Sequence, residues 1–236
     1  MNASDWPVRA AAVVVAAGPG TRLGAQQPKA FVPLGGQPLF VHALRALLAA
    51  SGVERAVLVV PPGLVDDAHN RLAAAPPLRI RPVVIEGGRE RQDSVRNGIA
   101  AAGNTELIAI HDAARPFVSP AAVEAALDAA HRLGAAVVAV PATDTIKRVH
   151  AEGWIEATPR RETLWLAQTP QVFTADLIRR AHAQAAGDPA TDDATLVEAL
   201  GARVYVVRGN AENRKITTPE DLRWAEWLLA RSSVPR

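Results

Sequence analysis

Ala11-Ala12-Val13-Val14-Val15-Ala16-Ala17-Gly18-Pro19-Gly20-Thr21-Arg22-Leu23-Gly24 is a short apolar, β-branched run that breaks into a glycine-rich turn. Such a run reads as a strand buried on both faces, and the glycines let the backbone after it pass close to a ligand. The same kind of run recurs at Ala56–Val60, Arg81–Ile85, Leu107–His111, Ala135–Val140 and Val204–Val207. Helical patterns lie between them. Phe40, Leu44, Leu47 and Leu48 share one helical face with Gly52 at its stop, and Val95 and Ile99 mark a second helix. Strand and helix in alternation predict an α/β protein: a three-layer α/β/α sandwich around a mostly parallel, Rossmann-like sheet.

Two helix starts are explicit. Ser119-Pro120 places a cap and a pre-set φ before an Ala-rich helix that runs to about Leu133 and stops at Gly134. Thr218-Pro219-Glu220-Asp221 repeats the pattern and opens a terminal helix carrying Leu222, Trp224, Ala225 and Leu228. From Thr145 to Ala157 the rhythm changes. Ile146-Lys147-Arg148-Val149 and Trp154-Ile155-Glu156, separated by Glu152-Gly153, read as a β-hairpin. A two-stranded ribbon is marginal in water, so a protruding arm stabilised by a second subunit is expected over about residues 142–165. No linker or repeat divides the rest, and residues 1–236 read as a single domain.

Composition narrows the chemistry. With no cysteine, disulfides, thiolate nucleophiles and Cys-ligated metals are excluded. A net charge of +2, from 26 basic and 24 acidic residues, is too small to mark a nucleic-acid binder. No apolar run approaches the roughly 18 residues of a membrane span. Arg9 and the following Ala/Val run imitate a secretory signal, but the run leads straight into the glycine turn, and a cytoplasmic location is expected.

The glycine turn is neither a dinucleotide fingerprint, which needs glycine at position 23, nor a Walker loop, because Lys29 follows Pro28. Charge assigns it instead to phosphates. Between Asp5 and Glu54 there is no acidic residue, while Arg9, Arg22, Lys29 and Arg45 fall in that interval. Arg22 offers a planar fork and Lys29 a point charge, a pairing suited to a nucleoside triphosphate. Glu86-Gly87-Gly88-Arg89-Glu90-Arg91-Gln92-Asp93-Ser94 and His111-Asp112-Ala113-Ala114-Arg115-Pro116 follow the third and fourth strands, where ligand loops of α/β sheets lie. Asp112 there can bind magnesium, orient a hydroxyl, cap a helix or pair with a surface cation. Arg115 can bind a second phosphorylated substrate. Trp224 and Trp227 are expected to pack in the core or at an interface, and Trp154 and Trp165, flanking the arm, to serve a subunit contact.

Taken together, Ala16-Ala17-Gly18-x-Gly-x-Arg22, Pro28-Lys29, Gly87-Gly88-x-x-Arg91-x-x-Ser94-Val95, His111-Asp112-Ala113-Ala114-Arg115-Pro116, Asp144-Thr145-x-Lys147, Thr169-Pro170-Gln171 and Asn213-x-Lys215-Ile216-Thr217-x-Pro219-Glu220-Asp221 resemble the 2-C-methyl-D-erythritol 4-phosphate cytidylyltransferases, in order and over almost the whole chain. The resemblance implies transfer of a cytidylyl group from CTP to methylerythritol phosphate, with release of pyrophosphate, on the non-mevalonate route to isoprenoids. It implies that Ala16, Ala17, Gly18 and Ala113 bind the nucleotide, the first three through their backbone, and that Gly88 and Ser94 contact cytosine. Arg22, Lys29 and Lys215 would be the catalytic cations around the reacting phosphates. Asp112, Arg115, Thr145, Arg161, Thr169 and Thr191 would contact the acceptor. Mg²⁺ is the implied cofactor, with Asp112 or the phosphates alone as ligands, and a homodimer joined through the arm is the implied assembly. Arg89 is a departure, because some relatives carry an acidic residue there.

The implied nucleophile is a phosphate monoester with a second pKa near about 6, mostly dianionic at neutral pH, so no general base is required. His111 is then expected to be structural. A cytidylyltransferase for ribitol 5-phosphate or another polyol phosphate would share the nucleotide half. A non-catalytic nucleotide-binding regulator would have no use for three cations at the reacting phosphates. An NAD-dependent oxidoreductase is disfavoured by Leu23 and by the missing ribose-binding acid.

Overall fold

The computed structural model describes residues 9–18, 27–185 and 190–232, so Arg22 and the glycine turn beyond Gly18 lie outside the described residues. The first strand, β1 (Ala10–Val15), is followed by a minimal ladder of β2 (Pro33–Leu34) with β3 (Gln37–Pro38) and then by α1 (Leu39–Leu48). The chain continues through β4 (Val53–Val60), α2 (Val65–Ala74), β5 (Val83–Glu86), α3 (Arg91–Ala101), β6 (Leu107–Asp112), α4 (Pro120–Leu133) and β7 (Ala135–Pro141). After these come β8 (Arg148–Val149), β9 (Ile155–Ala157), β10 (Trp165–Thr174), α5 (Ala175–Gln184), α6 (Asp193–Ala199), β11 (Tyr205–Arg208) and α7 (Pro219–Ser232).

One seven-stranded sheet has the order β11-β7-β10-β6-β1-β4-β5. All of its pairings are parallel except those of β10, which runs antiparallel between β6 and β7. The pleat sends alternate side chains of β1 to opposite faces. Ala10, Ala12 and Val14 join Phe40, Leu44 and Leu127 on one side, whereas Ala11 and Val13 join Val95, Ile99 and Ile178 on the other. Helices thus cover both faces, which is the expected three-layer sandwich. Burying each such Val or Leu contributes about 1.5–3 kcal/mol, so the apolar runs are sufficient reason for the sheet to form.

Local signals act as read. The Ser119 hydroxyl accepts from Ala122 N–H at 3.3 Å, Pro120 begins α4, and Gly134 ends it at φ 91°, a conformation that a Cβ would strain. At the start of α7, Thr218 Oγ1 accepts from Asp221 N–H at 3.2 Å while the Asp221 carboxylate accepts from Thr218 N–H at 3.0 Å. This reciprocal cap turns the chain sharply just after Lys215.

The hairpin is smaller than expected. Only Arg148–Val149 pairs with Ile155–Ala157, as a ribbon separate from the main sheet, and Trp154 lies outside its strands. Trp154 is 75% exposed and Ile155 61%. Trp224 packs edge-on against Phe117 as expected, but Trp227 is exposed with Arg231 stacked on it.

Candidate active site

The parallel strands deliver their carboxyl ends to one crevice, and each wall has a local cause. Ala16, Ala17 and Gly18 leave β1 and border a cavity of ≈ 480 Å³. Gly18 is exposed, and a Cβ on it would meet nothing, so open space flanks the backbone there. Lys29 reaches the same cavity because the next two residues are anchored: Ala30 and Phe31 are buried, and Phe31 packs edge-to-face on Phe40 at 5.1 Å. Arg71 stacks over the Phe31 ring and donates to its carbonyl at 3.2 Å, which fixes the segment from the other side.

The second wall follows β5. Gly87 is pressed between Ala17 and Ser94, where an added Cβ would lie 2.6 Å from both the Ala17 Cβ and Ser94 Oγ. A Cβ on Gly88 would collide with Asp93. The Ser94 hydroxyl accepts from Gly88 N–H at 3.1 Å and donates to the Glu90 carbonyl at 3.1 Å, which ties the Gly87–Glu90 loop to the first turn of α3. Arg89 is exposed on that edge and lines the cavity.

Asp112 ends β6 on the floor of the crevice. Its carboxylate lies 2.6 Å from Lys215 Nζ and 3.6 Å from Arg91 Nη2. Burial pushes its pKa up, but Lys215, then Arg91 and Arg115, outweigh that and hold the carboxyl well below the usual range. Arg91 is bound more closely to the buried Asp193, at 2.8 Å. Burial works against its charge, and Asp193 and then Asp112 more than restore it, so its pKa is raised.

Lys215 owes its place to the residues around it. Ile216 is buried and its N–H donates to the Ala114 carbonyl at 2.8 Å, while Asp221 accepts from Thr217 N–H at 2.9 Å. Burial raises the Asp221 pKa, and the hydrogen bonds from Thr217 and Thr218 bring it down to about 2. Asn213 is fully buried and donates to Gln168 Oε1 and the Thr169 carbonyl at 3.0 and 2.8 Å, and its own carbonyl accepts from Arg115 at 2.7 Å. The Asn-x-Lys-Ile-Thr-x-Pro-Glu-Asp segment is therefore a brace that aims one lysine.

An adjoining cavity of ≈ 270 Å³ is bordered by Arg115, Thr169, Gln171 and Thr191, and it shares Arg91, Asp112 and Lys215 with the first. The Thr169 hydroxyl is buried, accepts from Asp112 N–H at 3.1 Å and lies 3.0 Å from His111 Nδ1. His111 Nε2 lies 2.9 Å from the Arg115 carbonyl, an acceptor only, so the imidazole carries its proton on Nε2 and accepts from Thr169. Burial lowers the His111 pKa to about 4, and the ring is a neutral spacer at neutral pH.

Most residues singled out in the sequence thus converge: Ala16, Ala17, Gly18, Lys29, Gly88, Ser94, Asp112 and Lys215 on the first cavity, and Arg115, Thr169 and Thr191 on the second. Ala113 does not reach either lining. Its side chain is buried and its N–H donates to the Val15 carbonyl at 3.1 Å, whereas Ala114 faces the first cavity. Thr145 and Arg161 line neither cavity and are exposed at the arm, with Arg161 donating to the Thr143 carbonyl at 3.0 Å. Asp193, Gln171, Gln168 and Asn213 support the site but were not assigned roles from the sequence. Gln171 and Asn213 stand in the quoted motifs, which is the signal the sequence carries for them, whereas Gln168 and Asp193 stand in none.

A glycine-bordered crevice with converging lysines at the carboxyl edge of a mostly parallel sheet places the molecule in the class of α/β proteins that bind phosphorylated ligands beyond their strand ends. Comparison with known proteins narrows this class. A profile of the 2-C-methyl-D-erythritol 4-phosphate cytidylyltransferases matches residues 10–231. A relative of that name from Pelotomaculum thermopropionicum is 48% identical over 226 residues, covering 94% of each chain. One from Nocardia farcinica is 48% identical over 237 residues, covering 99% of this chain and all of its own. The crystal structure of the Thermus thermophilus enzyme superposes with a TM-score of 0.76 at 39% identity, over 94% of this chain and 98% of that one. The chain belongs to the 2-C-methyl-D-erythritol 4-phosphate cytidylyltransferase family.

Proposed function

We propose that the crevice transfers a cytidylyl group from CTP to 2-C-methyl-D-erythritol 4-phosphate. The observation that carries this reading is the partition of one crevice into two cavities, with Asp112, Arg91 and Lys215 on the boundary between them. CTP occupies the larger cavity, its base against Gly88 and Ser94 and its phosphates toward Lys29 and Lys215. The acceptor occupies the smaller one, with Arg115, Thr169 and Thr191 around it. An oxygen of the acceptor phosphate attacks the α-phosphorus of CTP, a new P–O–P bond forms, and the α–β anhydride bond breaks with its electron pair leaving on pyrophosphate. The dianionic nucleophile carries no proton to remove, so catalysis consists of in-line positioning and stabilisation of charge by preorganised cations. Lys215 rests on Asp112 at 2.6 Å and can shift toward the reacting phosphates while Asp112 takes up an acceptor hydroxyl.

Mg²⁺ is part of the proposal. Among the described residues no three acidic or histidine side chains converge, and Asp112 presents one carboxylate to the boundary. That donor set fits an ion held mainly by triphosphate oxygens and water, with Asp112 as its protein contact. When bound, it would supply positive charge to the β- and γ-phosphates.

The active unit is a homodimer. Two observations support it: Trp154, Ile155, Leu166 and Trp165 leave an apolar surface exposed along and beside the arm, and Thr145 and Arg161 line neither cavity of their own chain. In a C₂ pair the arm crosses to the neighbouring acceptor cavity.

Pyrophosphate release from CTP tests the reaction. It is expected with methylerythritol phosphate, not with ribitol 5-phosphate, and is abolished by excess chelator. Equal turnover of the two acceptors, or undiminished release in chelator, would overturn the acceptor or the metal assignment respectively.

A further inference from the structure

Arg91 has no role in the reaction as proposed, yet it lines both cavities. It begins α3, directly after the Gly87–Glu90 loop that edges the nucleotide cavity. Its closest partner lies elsewhere: Nη2 donates to Asp193 Oδ2 at 2.8 Å, whereas Asp112 Oδ1, at 3.6 Å, is beyond hydrogen-bond reach.

Asp193 is in turn immobilised. Its side chain is only 2% exposed, its Oδ1 lies 3.1 Å from His182 Nε2, and its N–H and that of Ala194 each donate to Gln171 Oε1 at 3.0 Å. Gln171 also donates to Asp192 Oδ2 at 2.7 Å. The start of α6, with Thr191 two residues before Asp193, is thereby tied to β10 and α5. The Arg91–Asp193 ion pair carries that rigidity to the boundary between the two cavities.

We propose that Arg91, pinned by Asp193, is a positioning residue that keeps Asp112 aimed at the acceptor. An ion pair as buried as this adds little net stability because both charges lose water, so its worth lies in geometry. Arginine suits the task, since its planar fork holds one carboxylate while presenting a second edge to another. Misplacement of a reactant by an ångström costs up to about 10²-fold in rate, so a modest loosening at this joint is enough to be read kinetically.

The inference rests on the proposed reaction, and the test separates the two. KM for the acceptor, KM for CTP, kcat and melting temperature are measured for wild type, Arg91→Lys, Arg91→Gln, Asp193→Asn and Arg91→Lys/Asp193→Asn. We expect each single variant to raise the acceptor KM about tenfold with CTP KM within about twofold, and the double variant to be no worse than the more damaging single, as for two groups acting as a unit. Arg91→Lys keeps a cation beside the 2%-exposed Asp193 carboxylate, so it retains the fold even where Arg91→Gln or Asp193→Asn does not, and the acceptor-selective rise in Arg91→Lys then decides alone. A brace with only a structural role would lower the melting temperature and the active fraction while leaving both KM values unchanged. That result, a parallel rise in both KM values, or multiplicative effects in the double variant would overturn the inference. Wild type that releases no pyrophosphate would overturn the reaction itself.

Discussion

Lys215 Nζ lies 2.6 Å from Asp112 Oδ2, bridging the end of β6 and the segment that leads into α7. Both residues line both cavities, and the proposed reaction draws on Lys215 as its cation.

Removing that cation has a defined signature. Charge at the α-phosphorus grows in the transition state, so Lys215→Ala and Lys29→Ala should depress kcat far more than they weaken CTP binding. The scale is about 10²- to 10³-fold for each, or about 2.7–4 kcal/mol. Steady-state kinetics beside calorimetric CTP titration check it; a loss confined to CTP affinity would assign both lysines to ground-state binding.

His111 should behave oppositely. Its replacement by asparagine is expected to cost much less activity than Lys29→Ala, because the imidazole is buried and neutral and moves no proton. It does shape stability. Burial holds the folded pKa at about 4, below the ordinary value, so between pH 6.5 and 4 the unfolded chain takes up a proton that the folded chain does not. Its contribution is complete above about pH 6.5 and falls away as pH drops toward 4, by on the order of 3 kcal/mol. Denaturant unfolding across this range should show a steeper loss for wild type than for His111→Asn. Equal slopes would mean that the ring is protonated in the fold.

Much of this arrangement was legible in the sequence because the signals are local. β-branched runs announced six strands of the sheet, and the caps at Ser119 and Thr218 announced both helix starts. β10 escaped because Pro170 and its polar neighbours Gln168, Thr169 and Gln171 interrupt the alternation, and its ladder breaks between Ala167 and Gln171. Those polar residues face the site and its supports. α2 escaped because its apolar stripe is thin: Val65 and Leu72 are only partly buried on the core and Ala68 alone is fully buried. The same split governs the site: Lys29, Asp112 and Lys215 stand in recognisable motifs, whereas the Arg91–Asp193 bond spans 102 residues and exists only once the sheet has formed.

Packing beneath the site should be equally unforgiving. Gly98 of α3 lies on β1 and β4, where an added Cβ would collide with Val13 and come within 3.0 Å of Val59 Cγ2. Gly98→Ala is expected to destabilise by about 1–3 kcal/mol despite the better helix propensity of alanine. At about 2–4 °C per kcal/mol for a chain of this size, the melting temperature should fall measurably. An unchanged or raised value would show that α3 can shift off the sheet.

The shared site is open to complementation. Inactive Lys29→Ala chains mixed with inactive Arg161→Ala chains form hybrids, each with one intact site if the arm crosses between subunits. Random exchange should restore activity to about a quarter of wild type. No recovery, despite proven exchange, would return Arg161 to its own subunit.

The nucleophile itself can be followed by isotope. With ¹⁸O in the three terminal oxygens of the acceptor phosphate, phosphorus NMR of the products reports which bond forms. Attack on the α-phosphorus predicts ¹⁸O in the bridge of the new diphosphate and pyrophosphate free of label. Labelled pyrophosphate, or release of cytidine monophosphate in place of the CDP-linked product, would contradict cytidylyl transfer by this crevice.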